Sequence, residues 1–120
     1  MKIRILNDTI RLRLDRDEVD RIGRGQPVIA RTRFPDRSVF GYELHVDAAG
    51  AETVAAFSHG VIRLTLPAEQ ARHWATEESE VSITGQSASL ELLIEKDFEC
   101  LEPRAGESQS NRFANPRAGG

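Results

Sequence analysis

MKIRILNDTIRLRL (Met1–Leu14) and TVAAFSHGVIRLTL (Thr53–Leu66) align without a gap, so that Ile10-Arg11-Leu12-x-Leu14 falls on Ile62-Arg63-Leu64-x-Leu66. In Lys2–Leu6 and Thr9–Leu14 apolar and charged residues alternate, as in half-buried strands, and Asn7-Asp8 between them marks a tight hairpin turn. Ile3, Ile5, Ile10, Leu12 and Leu14 are then expected to face a core. In the second stretch His59-Gly60 takes the turn, and Ala55, Phe57, Ile62, Leu64 and Leu66 take the inward positions.

Downstream, both copies continue in the same way. Asp15 is placed to cap a helix, Glu18 completes a capping box, and Leu14 and Val19 have the spacing of a hydrophobic staple. Gly23 and Gly25 end that helix. In the second copy Pro67 opens the helix, since its missing N–H costs nothing in a first turn. Ala71 and Trp74 stand where Val19 and Ile22 stand, so Trp74 is expected in the core. Two more strands follow in each copy: Pro27–Phe34 and Val39–Asp47 about a Pro35-Asp36 turn, then Glu80–Thr84 and Ser89–Asp97 across Gly85-Gln86-Ser87.

A repeat of this length implies one duplicated domain over residues 1–102, with copies at about 1–47 and 53–97. The expected fold is α+β: a doubled β-β-α-β-β unit making an eight-stranded, mainly antiparallel barrel or split barrel, with two short helices over its openings or edges. Residues 103–120 are rich in Pro, Gly, Ser, Asn and Arg and lack apolar periodicity, so a disordered tail is expected there.

The chain has 120 residues, enough for one modest core. It has no apolar run of membrane-spanning length and no signal-peptide pattern, so a cytoplasmic protein is the expectation. A single cysteine, Cys100, excludes an internal disulfide framework, and the two carboxylates beside it, Asp97 and Glu99, would oppose a reactive thiolate. The net charge is −3, but residues 1–37 carry ten Lys/Arg against six Asp/Glu, and residues 38–102 carry three against twelve. Such a split fits mutual neutralisation of the halves better than a nucleic-acid binder, which is usually basic overall.

One feature of the first hairpin stands apart. With Asn7-Asp8 as the turn, Arg4 lies opposite Arg11 and Lys2 opposite Arg13, and like charges across a ladder destabilise it. Compensating acids are expected from Glu43, Glu91 and Glu95 on the polar faces of later strands, or else from a bound anion or an acidic protein partner. Lys2, Arg4, Arg11, Arg13 and Arg63 are therefore the candidate anion- or partner-binding residues. The three other cations of the first hairpin have no counterpart in the second copy, where Val54, Ala56 and Thr65 replace Lys2, Arg4 and Arg13. His45, His59 and His73 show no metal-ligand spacing, and no phosphate loop, nucleophile elbow or RNA-binding motif is present. No catalytic residue, metal or cofactor is expected.

Doubled architecture and charge alternation give the chain a likeness to the triphosphate tunnel enzymes, whose barrels are lined with Arg, Lys and Glu. It lacks their Glu-x-Glu-x-Lys signature; the nearest approach, Glu91-Leu-Leu-Ile-Glu95-Lys96, has the wrong spacing. A second resemblance covers most of the chain. KIRILNDTIRLRL at the start, LTLPAEQARHWA in the middle, LLIEKDFECL near the end and Phe-x-Asn-Pro at 113–116 resemble a group of small uncharacterised bacterial proteins. That resemblance implies a bacterial cytoplasmic protein and no particular activity. The leading expectation is a non-enzymatic interaction module that uses a cationic strand face. The alternative is a binder or hydrolase of a phosphorylated small molecule inside a charged barrel.

Overall fold

The computed structural model describes residues 1–98. Its elements follow in the order β1 (Lys2–Leu6), β2 (Thr9–Leu14), α1 (Arg16–Gly23), β3 (Val28–Arg33), β4 (Val39–Asp47), β5 (Val54–Ser58), β6 (Val61–Pro67), α2 (Ala68–Thr76), β7 (Ser82–Ser87) and β8 (Leu90–Lys96). The order β-β-α-β-β thus occurs twice. The tail expected at 103–120 and Cys100 lie outside the described residues.

Local chemistry accounts for the element ends. The Asp15 side chain accepts from the Glu18 N–H and the Glu18 side chain accepts from the Asp15 N–H, both at 2.9 Å, which completes the capping box of α1. Pro67 caps α2 without a side-chain hydrogen bond. The β1–β2 turn places Asn7 at φ +51°, and the β5–β6 turn places His59 and Gly60 at +53° and +77°, values that match the twist of a two-residue hairpin.

Two four-stranded sheets result, with strand orders β1-β2-β8-β7 (sheet I) and β3-β4-β6-β5 (sheet II). Each joins one hairpin from the first half of the chain to one from the second. The outer pairs are antiparallel, but the central junctions β2/β8 and β4/β6 are parallel. The junctions match in register: Leu12 lies opposite Ile94 as Leu64 lies opposite Leu44.

Of the two forms expected, the closed barrel is excluded and the strands split into two sheets. No main-chain ladder among the described residues joins sheet I to sheet II. Inner-face side chains fill the fold instead: Leu12, Leu14, Leu44, Leu64, Leu66 and Ile94 are completely or almost completely buried, together with Ile22 of α1 and Trp74 of α2. The helices do not guard two separate openings. They pack on each other beyond the ends of β2 and β6, with Gly23 so close that a Cβ there would stand 2.7 Å from Ala75 Cβ. Trp74 donates its Nε1–H to the Val81 carbonyl at 3.1 Å, which satisfies the one polar atom of a buried indole.

Three smaller expectations are also corrected. Ile5 and Phe57 have the inward parity, yet are 52% and 68% exposed, because each lies on an edge strand at the end away from the helices. The last hairpin turns at Ala88-Ser89, not at Gly85-Gln86-Ser87, and Ala88 takes φ +56°. Gly85 lies inside β7, where a Cβ would approach Thr53 Cβ to 3.1 Å. Among the described residues no helix is long and apolar enough to cross a membrane.

Candidate functional site

On the outer face of sheet I the cations stand in the expected register, Arg4 opposite Arg11 and Lys2 opposite Arg13. The parallel junction brings carboxylates to them. Arg13 lies opposite Glu95, and Arg11, opposite Leu93, reaches diagonally so that its Nε donates to Glu95 Oε1 at 2.9 Å. Arg13 Nε is 3.5 Å from the same oxygen and its Nη1 is 3.9 Å from Asp97 Oδ1, while Lys2 Nζ is 3.2 Å from Asp97 Oδ2. All three cations are partly exposed, so each pair contributes at most about 1 kcal/mol. Glu91 lies opposite Thr9 and Gln86 and forms no ion pair among the described residues. Arg4 is exposed and likewise forms none.

On the outer face of sheet II the fifth candidate, Arg63, lies directly opposite Glu43, with Ile29 and Ala56 on either side of that pair. Arg63 Nε donates to Glu43 Oε1 at 3.2 Å, and His45 Nε2 donates to the same oxygen at 2.7 Å. The Glu43 side chain is 7% exposed although it is on an outer face, because its neighbours cover it. Its pKa is held below the ordinary carboxyl value chiefly by the His45 hydrogen bond; burial opposes this, and the Arg63 hydrogen bond and charge reinforce it.

Thus Glu43 and Glu95 each gather two partners, and the sequence reading did not include His45 or Asp97 in those clusters. The signal was present in both cases. His45 is two residues from Glu43 and Asp97 two residues from Glu95, the spacing that puts side chains on one face of a strand. Arg31 and Arg33 were also not singled out. They project from the outer face of edge strand β3, are exposed, and form no ion pair among the described residues.

The alternative of a charged barrel interior is overturned by this geometry. The strand charges occupy outer faces, whereas the inner faces belong to the apolar core. Among the described residues no group of three or more His, Cys, Asp or Glu side chains is placed to hold a metal ion.

The model of the family of unknown function DUF7009 matches residues 1–117, and the chain belongs to that family. No curated protein and no solved structure matches the chain.

Proposed function

For a member of a family with no assigned activity, we propose a non-enzymatic interaction module that holds an acidic protein partner through outward cations of its edge strands. One observation carries this reading. Arg4 on β1 and Arg31 and Arg33 on β3 are exposed and have no ion-pair partner among the described residues, whereas Lys2, Arg11, Arg13 and Arg63 are matched by Asp97, Glu95 and Glu43. Unmatched cations retain most of their attraction for an incoming carboxylate, and they set the approach rate of an acidic partner more than its final affinity. Lys2, Arg11 and Arg13 then contribute to the field, not to the contact.

The matching registers of the two parallel junctions and the aligned hairpins support an origin by internal duplication. On that view the apolar face was kept in both copies and the cations diverged for binding. The resemblance at the two ends of the chain supports a bacterial, cytoplasmic setting.

A glutamate-rich synthetic peptide tests the charge reading by fluorescence anisotropy. Arg4→Glu combined with Arg33→Glu is expected to weaken its binding by roughly tenfold or more at low salt, with the effect shrinking as salt rises. Arg24→Glu combined with Arg72→Glu changes net charge equally, at the exposed C-cap of α1 and an exposed position of α2, and serves as the control. Equal losses in both double variants would reduce the effect to overall charge and defeat the proposal.

A further inference from the structure

Two sheets of four strands leave two pairs of facing edges, and the pairs are not alike. At the first, β5 meets β7: the Ala55 N–H donates to Ser87 Oγ at 3.2 Å, and buried Thr53 packs on Gly85. At the second, β1 faces β3, and the bond between the sheets on that side lies beyond the start of β1, from Tyr42 Oη to the Met1 carbonyl at 2.9 Å. Further along these strands the inward-facing residues are open to solvent: Ile5 on β1 is 52% exposed, and Thr32 on β3 is exposed as well.

We infer that the free edge of β3, on the side facing β1, takes an extended acidic segment of a partner protein as an added strand. This deepens the interaction reading above and rests on it. An edge strand offers a row of unpaired N–H and C=O groups, and an extended peptide that pairs with them gains main-chain hydrogen bonds as affinity and alternate side-chain positions as specificity. Here both sets of positions are defined. Arg31 and Arg33 project outward from β3, so residues of the added strand that face outward meet these two cations. Its inward residues lie beside Ala30 and Thr32 of β3 and extend the apolar inner face of that sheet. The segment that fits alternates acidic with apolar residues.

Charge also argues against a second copy of this chain on that edge. The β1 and β3 edges of another molecule bring the same arginines, and like charges facing across a ladder repel. The outward positions of β5 are Val54, Ala56 and Ser58, and those of β7 are Ser82, Thr84 and Gln86, none of which answers a row of arginines. The edge cations therefore exclude neutral and basic strands, a usual protection of free edges, while admitting an acidic one.

The probe is a labelled peptide of alternating glutamate and valine, titrated by anisotropy against the full chain. Two peptides accompany it: one of equal composition with the glutamates and valines in separate blocks, and one with the alternating order but N-methyl groups on every second amide. The alternating peptide is expected to bind, and both companions to bind at least roughly tenfold more weakly, because one loses the register of charges and the other the main-chain bonds. Arg31→Glu with Arg33→Glu is expected to abolish the preference while leaving the thermal midpoint unchanged, since both positions are exposed. Equal binding of all three peptides overturns strand addition but leaves the acidic-partner reading intact. Failure of all three peptides to bind overturns both. A dimer in sedimentation that the double variant breaks apart would assign the edge to a second copy and overturn the inference.

Discussion

At the scale of single residues, Glu43 is the most constrained charge in the described structure. Its carboxylate is covered, accepts from His45 and Arg63 on one oxygen, and has a lowered pKa. A carboxyl whose folded pKa lies below its unfolded value adds stability that is fully present above the unfolded value and lost as pH falls through the folded one. The window therefore opens near 4.5, the ordinary value for this group, and extends downward. Glu43→Gln keeps the shape and an acceptor oxygen but removes the charge, so a loss of about 1 kcal/mol is expected at pH 7. That difference should shrink toward zero as pH falls through the window and wild-type Glu43 becomes neutral; urea midpoints followed downward from pH 7 measure it. A difference that stays constant with pH would mean that shape rather than charge holds the site. The alternation of Lys2, Arg4, Arg11 and Arg13 was enough to place those cations on one face. Which acid meets which cation was not legible, because Glu95 and Asp97 arrive through a parallel junction between strands about 80 residues apart in the chain.

At the scale of elements, local rules accounted for what they govern and failed where a distant element intervened. The capping box of α1, the Asn7-Asp8 and His59-Gly60 turns, and the burial of Ala71 and Trp74 follow from spacing alone. Gly85-Gln86-Ser87 carries every sign of a turn, yet Gly85 lies within β7 against Thr53, just before β5, and the turn falls at Ala88-Ser89. Gly23 makes the same point with a sign that can be measured. By helix propensity alone, Gly23→Ala near the end of α1 should gain up to about 1 kcal/mol. The added Cβ would stand 2.7 Å from Ala75 Cβ, and a methyl fixed on a helix backbone cannot swing away. Separating two packed helices costs about 1–3 kcal/mol, so the contact outweighs the propensity and the variant is expected to be net destabilised. Ala75→Gly in the same chain should recover most of the loss, and chemical denaturation of the single and double variants reads the coupling. A stabilised single variant would show that α1 and α2 adjust without cost.

At the scale of the molecule, the two halves are interleaved and not set side by side. The sequence repeat predicted two similar units; it could not say that each would give one hairpin to each sheet, because both arrangements satisfy the same alternation. The choice has a consequence for folding. A half kept alone owns two hairpins that belong to different sheets, and an isolated two-stranded hairpin is marginal in water. Its apolar faces are covered in large part by the other half: Leu12 lies opposite Ile94 across one junction, and Leu44 lies opposite Leu64 across the other. Burying one such leucine is worth about 2 kcal/mol, so losing both junctions removes an amount comparable with the whole stability of a domain this size. Fragments 1–50 and 51–120, prepared separately, are therefore expected to lack the far-ultraviolet signal of folded strands and any cooperative thermal transition. Mixed in equal amounts they should regain both, with a midpoint that rises with concentration because assembly has become bimolecular. A cooperative transition in either fragment at low concentration would show that a half can fold alone, and the interleaved junctions would then be a secondary docking of two finished units.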